Sequence, residues 1–231
     1  QKYSPNSQIW AGEDGPVAGG KVGTCGKNYG YDNEKPICGT YASAMWSADD
    51  MGNHATKGFK QYQRQDFFGA AYGLTGTIIE HSFSSLDAME SIVLRPDYWV
   101  FYMFKRTIGT SVMHVQSNNR YIRAYGYTGK PPSPHSAKEC GGESGITLLL
   151  LNLEESCETN VHLPFTSSTQ SYSAWIMTPD QDAPFLKSAL MNGQPLSSII
   201  NLAHRGNSEE VNFLKEIPVK PVTGKVRAQN L

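Results

Sequence analysis

A short apolar segment, Trp10-Ala11-Gly12, leads directly into Glu13, and Gly19-Gly20 follows a few residues later. This pattern reads as a strand that presents one carboxylate at its end, followed by a turn. A single carboxylate can attack an electrophilic carbon or move a proton. Chemistry at a sugar acetal takes two carboxyl groups, one on each side of the bond to be cleaved. Glu13 lies too near the first residue for a second strand of the same scaffold to precede it, so a partner carboxylate is expected from another segment. Two successive glycines lack Cβ atoms and can turn adjacent N–H groups toward an anion, although a Gly-Gly pair is also the ordinary composition of a flexible turn.

Other groupings are weaker. His81, Asp87 and Glu90 share one polar stretch without the spacing of metal ligands, and no Gly-x-Ser-x-Gly turn is present. Neither a metal nor a cofactor is expected. Lys105-Arg106 reads as a solvated helix end that favours the helix dipole, and Trp99, Phe101 and Phe104 read as core.

Around these residues the first part of the chain alternates strand and helix. A strand is expected at Ser7–Gly12 and a helix at Thr40–Met51, where Tyr41, Ala44, Met45 and Ala48 share a face and Gly52 supplies a stop. A second strand, Tyr62–Phe68, precedes a long loop through Thr75, Ser82 and Ser85. The next helix covers Asp97–Ile108, with Pro96 before it and Gly109 after it. Strand-helix-strand-helix order implies parallel strands, and two such units leave an open sheet edge. Past Thr110 the pattern becomes short strands between turns: Tyr121–Tyr127, Ile146–Leu153, Asn160–Leu163, Tyr172–Thr178 and Ser188–Met191. Asn192-Gly193 is a hairpin turn and Thr128–Ser144 a loop. This half reads as an antiparallel β-sandwich. The tail from Arg205 carries no clear period.

The chain has 231 residues, 39% hydrophobic and 18% charged, with a formal net charge of -1, values of an ordinary globular protein. Near-neutrality offers no field for nucleic acid, and the longest apolar runs, such as Ile146–Leu151, are far shorter than the roughly 20 residues of a membrane span. Gln1 in place of Met, with no leader pattern, points to processing or to a longer product. The four cysteines fall as two local pairs, Cys25 with Cys38 and Cys140 with Cys157, without Cys-x-x-Cys spacing. Two disulfides and an oxidising compartment are favoured over four free buried thiols, which stay the alternative. No Asn-x-Ser/Thr acceptor site is present.

In order along the chain, Trp10-Ala11-Gly12-Glu13, Gly19-Gly20, Arg64-Gln65-Asp66-Phe67-Phe68-Gly69-Ala70, Tyr72-Gly73-Leu74, Pro96-Asp97-Tyr98-Trp99, Phe104 to Thr110 and Gly145 to Leu153 resemble the carboxy-terminal half of the heparanase-like glycosidases, glycoside hydrolase family 79. The resemblance implies an α/β plus β fold. The last two strand-helix units of a (β/α)8 TIM barrel would occupy residues 1–110, and an antiparallel β-sandwich domain residues 111–231. It implies a retaining hydrolase of β-linked uronic-acid-containing glycans. Glu13 would be the nucleophile, Gly19 and Gly20 would hold a sugar carboxylate, and Gln65 and Tyr72 would line the same cleft. The acid/base would come from a companion chain or a missing segment that completes the barrel. Strand alternation turns Asp14 away from that cleft. The implied setting is secreted and extracellular, including attachment to a membrane or wall, or vacuolar and lysosomal. The alternative function is a non-catalytic structural or glycan-binding subunit of an extracellular assembly derived from the same family.

Overall fold

Two parallel strands backed by two helices form the part of the fold that carries Glu13. The computed structural model of the chain describes residues 7–16, 37–64, 67, 73–77, 91–130, 145–154, 170–182, 185–196, 199–201 and 220–226. Strand β1 (Trp10–Asp14) pairs in parallel with β2 (Gln61–Arg64), and the connection runs through helix α1 (Tyr41–Thr56). The strand-helix-strand reading of this segment therefore holds. The second helix, α2 (Pro96–Thr107), packs beside α1. It starts as expected, with Pro96 in its first turn, Asp97 near its positive end, and Lys105 and Arg106 in its last turn.

Helix α1 does not stop at Gly52. It continues for another turn and ends where Gly58 takes a φ of +84°, with the Phe59 N–H donating back to the His54 carbonyl. Gly52 serves packing instead: a Cβ there would lie 2.4 Å from Cδ2 of Tyr125. Gly109 is likewise not a helix stop. Helix α2 ends at Thr107, the chain enters strand β5 (Ile108–Met113) at once, and a Cβ on Gly109 would lie 2.5 Å from the Thr128 carbonyl oxygen.

The stretch expected as a loop after β2 contains a small antiparallel sheet. Strands β3 (Thr75–Thr77) and β4 (Ser91–Leu94) pair with each other, and β4 also pairs with Ile199–Asn201 from late in the chain. Three or four residues are too few to show a two-residue period, which is why this sheet escapes sequence reading.

Beyond α2, β5 pairs antiparallel with β6 (Ile122–Gly129) and β6 with β7 (Ile146–Asn152). The expected strand Tyr172–Thr178 is broken in two. Strand β8 (Gln170–Ala174) pairs with Val222–Val226, whereas β9 (Met177–Pro179) pairs with β10 (Ala189–Met191). Asn192 explains the break. It sits in the two-residue turn from β10 to β11 (Gln194–Pro195), and its side-chain oxygen accepts from the Ile176 N–H at 2.8 Å. Its Nδ2 donates to the carbonyls of Ala174 and Lys220. Positive φ at Asn192 (52°) and Gly193 (75°) matches the hairpin signal. In chain order Ile199–Asn201 is β12 and Val222–Val226 is β13, so the tail that lacked a period carries a strand. Asn160–Leu163 and residues 131–144 of the expected loop lie outside the described residues.

The main apolar cluster joins Leu94 and Trp99 to Ala189, Met191 and Leu196, with Tyr41, Tyr98, Tyr102 and Met177 packed against it. Trp99 is thus core, as its sequence setting implied. The helices consequently pack against β1–β2 through Tyr62 and Arg64, against the β9–β11 sheet through the Trp99 cluster, and against β6 through Gly52 and Phe104. The Tyr41 hydroxyl fixes the second contact by donating to the Met177 carbonyl at 2.9 Å.

Candidate active site at the end of the parallel strand pair

In β2, Gln61 and Gln63 are exposed while Tyr62 and Arg64 turn toward the helices. The Tyr62 ring centre lies 5.7 Å from that of His54 and 5.8 Å from that of Phe101. The side chain of Arg64 is buried, and its guanidinium donates to the Asp14 carbonyl at 3.2 Å and faces Asp97 at 3.5 Å.

In β1 the alternation is interrupted. Ala11 is level with Tyr62 and Asp14 with Arg64, so Gly12 and Glu13 together oppose the single residue Gln63. Such a bulge re-aims side chains, and bulges concentrate beside active sites. Here it brings Asp14 to the helix side, where its carboxylate reaches Asp50 and His54 of α1 with ligand atoms within 4.8 Å of one another. Glu13 is exposed, as are Trp10, Gln61 and Gln63. Asp14 thus reaches the helix side through a bulge rather than through simple alternation.

The consequence for chemistry is direct. Two carboxylates on opposite sides of a strand cannot flank one glycosidic bond, so Asp14 is not the partner that Glu13 would need. Burial raises the Asp50 carboxyl above the usual carboxylate range, and the neighbouring Asp14 charge adds to the effect. Tyr62 is pushed well above the usual tyrosine range, first by burial and then by the charge of Asp50.

Behind the strand ends lies a buried ionic group that sequence reading missed. Asp97 is fully buried, accepts from the Ser43 hydroxyl at 3.2 Å and faces Arg64. Arg95, also buried, donates to the Gly73 carbonyl at 2.8 Å. Gly39 and Gly76 admit this side chain: a Cβ on Gly39 would stand 2.6 Å from Cδ of Arg95, and one on Gly76 2.8 Å from Nη2. The only available signal was the pair Arg95 and Asp97 around Pro96 at a helix start, which reads equally well as an exposed cap. Burial raises the Asp97 carboxyl, against the opposing pull of Arg64 and Arg95.

Of the residues expected to act as nucleophile, to bind substrate or to form disulfides, Glu13 and Cys38 are described. Cys38 is fully buried and disulfide-bonded, directly before the Gly39 turn that leads into α1. Gly19, Gly20, Gln65, Tyr72, Cys25, Cys140 and Cys157 lie outside the described residues, as do His81, Asp87 and Glu90.

Comparison with known proteins adds a second line. The chain is 26% identical over 199 residues to a heparanase of Gallus gallus, a match covering 84% of this chain and 32% of that protein. It is 28% identical over 156 residues to heparanase-like protein 2 of Arabidopsis thaliana, covering 67% of this chain and 22% of the relative. Over most of its length the chain is similar to heparanases and heparanase-like proteins. A further relative, inactive heparanase-2 of Homo sapiens, is 25% identical over 207 residues. No protein-family model matches. The chain spans about a third or less of the length of these heparanase-like relatives. Among the described residues no helix is long and apolar enough to cross a membrane.

Proposed function

We propose that the chain supplies the nucleophile side of a retaining glycoside hydrolase that acts on β-linked, uronic-acid-containing glycans. The observation that carries this reading is the position of Glu13. It stands at the bulged carboxy-terminal end of a parallel strand, on the face away from the helices, beside Trp10, Gln61 and Gln63. Active sites of (β/α)8 barrels form at that end of the strands, and the inward face is the one without helices. The units β1-α1 and β2-α2 are then the last two of such a barrel, and the antiparallel strands beyond β5 form the attached β-sandwich. In the complete barrel further strands cover the exposed face of β1–β2, and one of them brings the acid/base carboxyl to about 5 Å from Glu13, the separation of retaining enzymes.

Chemically, Glu13 attacks the anomeric carbon while the partner acid protonates the leaving oxygen. Water then releases the glycosyl group from Glu13. Gly19 and Gly20 hold the sugar carboxylate through backbone N–H groups, with Gln65 and Tyr72 on the same cleft. The acid/base comes from sequence outside these 231 residues, either a further segment or a companion chain. Cys25 pairs with Cys38 and Cys140 with Cys157, in keeping with a secreted or lysosomal-type setting. The test is a mechanism-based inhibitor of glucuronide configuration applied to the complete protein, with peptide mass spectrometry to find the modified residue. Attachment to Glu13 is expected, and turnover without attachment there rejects the assignment.

One observation favours a second reading. A relative described as inactive matches at nearly the same identity as those described as heparanases. A chain that kept the scaffold as a glycan-binding subunit would bind uronic-acid glycans in the complete protein without cleaving them, and the same inhibitor would leave Glu13 unmodified.

A further inference from the structure

Behind the strand end that carries Glu13, Asp14, Asp50 and His54 form a grouping with chemistry of its own. Asp14 comes from β1, and Asp50 and His54 from successive turns of α1. All three are half-buried, and two carboxylate oxygens and one imidazole nitrogen lie within 4.8 Å of one another. Ligands at about 2.0–2.2 Å from a zinc ion stand somewhat closer together than this, so small side-chain rotations close the set.

An ordinary helix ion pair does not account for the arrangement. His54 Nδ1 is 3.2 Å from Asp50 Oδ1 and 2.9 Å from the Asp50 carbonyl, and these contacts satisfy the ring on one side. They do not involve Asp14, a second carboxylate that the bulge in β1 brings beside the first. Asp50 Oδ2 and the Tyr62 hydroxyl, both shielded from solvent, lie near each other without a well-aligned hydrogen bond between them. Buried polar atoms of this kind are normally satisfied by protein, water or an ion. The His54 ring is also held in place, its centre 4.5 Å from that of Phe59 in an edge-on contact.

We propose that Asp14, Asp50 and His54 bind a divalent metal ion of the zinc or manganese class, which clamps the end of β1 to α1. Two carboxylates balance the charge of the ion. A donor set of one imidazole and two carboxylates suits zinc or manganese, whereas calcium takes six to eight oxygens. The ion lies on the helix side of the strand, opposite Glu13, so it fixes the strand end and takes no part in bond cleavage. The inference does not depend on glycosidase activity.

The test uses the full chain, stripped by a chelator and titrated calorimetrically with Zn2+, Mn2+ and Ca2+. One Zn2+ or Mn2+ per chain is expected, with a rise in melting temperature and much weaker response to Ca2+. Asp50→Asn and His54→Gln should each lower affinity about tenfold or more, by analogy with the loss on removing even an outer contact of a metal site. His114→Ala, an exposed histidine elsewhere, should leave it unchanged. Histidine ring signals of the unaltered chain provide a readout that needs no variant, and those of His54 should shift on adding Zn2+. Absence of binding overturns the proposal, as does binding that survives both substitutions or that shifts other histidines only.

Discussion

Replacing Arg64 with Met tests whether the buried ionic group holds the strand end in place. The side chains of Arg64 and Asp97 are 2% and 0% exposed and face each other at 3.5 Å. Methionine keeps the apolar stem of Arg64 but removes its charge and its bond to the Asp14 carbonyl. Removing one partner of a buried pair typically costs about 3–5 kcal/mol, because the other charge is left uncompensated. Here the Ser43 hydroxyl and the Arg95 guanidinium still favour ionised Asp97, so the low end, about 3 kcal/mol, is expected. This corresponds to roughly a hundredfold in the folding equilibrium constant. Urea denaturation followed by tryptophan fluorescence measures it, with buried Trp99 as a nearby reporter. The pH dependence has a definite sign. Burial already raises Asp97, and loss of Arg64 raises it further, so the folded state binds the proton more tightly than the unfolded state. The contribution of such a group is present at low pH and is lost as pH rises through its folded value. The deficit of Arg64→Met should therefore shrink on acidification, and adding Asp97→Leu should recover most of it. A deficit below about 1 kcal/mol at neutral pH, the scale of an exposed pair, would refute the reasoning, as would one independent of pH.

Gly52→Ala pushes a methyl group into the Tyr125 ring and should destabilise by about 1–3 kcal/mol despite the better helix propensity of alanine; a gain in melting temperature would contradict the packing. Asn192→Gly keeps the positive φ of the turn but removes the bonds to Ile176, Ala174 and Lys220. A loss of about 1–3 kcal/mol in chemical denaturation is expected, while no loss would mean that the turn geometry alone matters. Cys38→Ser should cost about 2–4 kcal/mol, and the difference from the unaltered chain should vanish under reducing conditions.

The elements that sequence reading located are those with a period or a strong turn signal. Helix α2 was marked by Pro96 and its aromatic residues, β6 and β7 by their apolar runs, and the β10–β11 turn by Asn192-Gly193. Isolated glycines misled. Gly52 and Gly109 resemble helix stops in one dimension, yet both admit a neighbour from a distant strand, Tyr125 in one case and Thr128 in the other. Sheet β3-β4-β12 was hidden because its strands are short and β12 is far away in sequence. Glu13 was legible as a strand-end carboxylate. The companionship of Asp14 with Asp50 and His54 was not, because a one-residue bulge creates it and no spacing rule encodes a bulge. The burial of Arg64, Arg95 and Asp97 was hidden for a related reason: charged residues beside a helix start ordinarily face water.

The central claim, that Glu13 attacks a sugar's anomeric carbon, is tested most directly by trapping the glycosyl-enzyme intermediate in the complete protein and mapping the modified peptide. The account predicts one added glycosyl group per chain, on Glu13, released by water at the rate of reactivation. Modification of a different carboxylate, or hydrolysis that proceeds with Glu13 replaced by Gln, would contradict it.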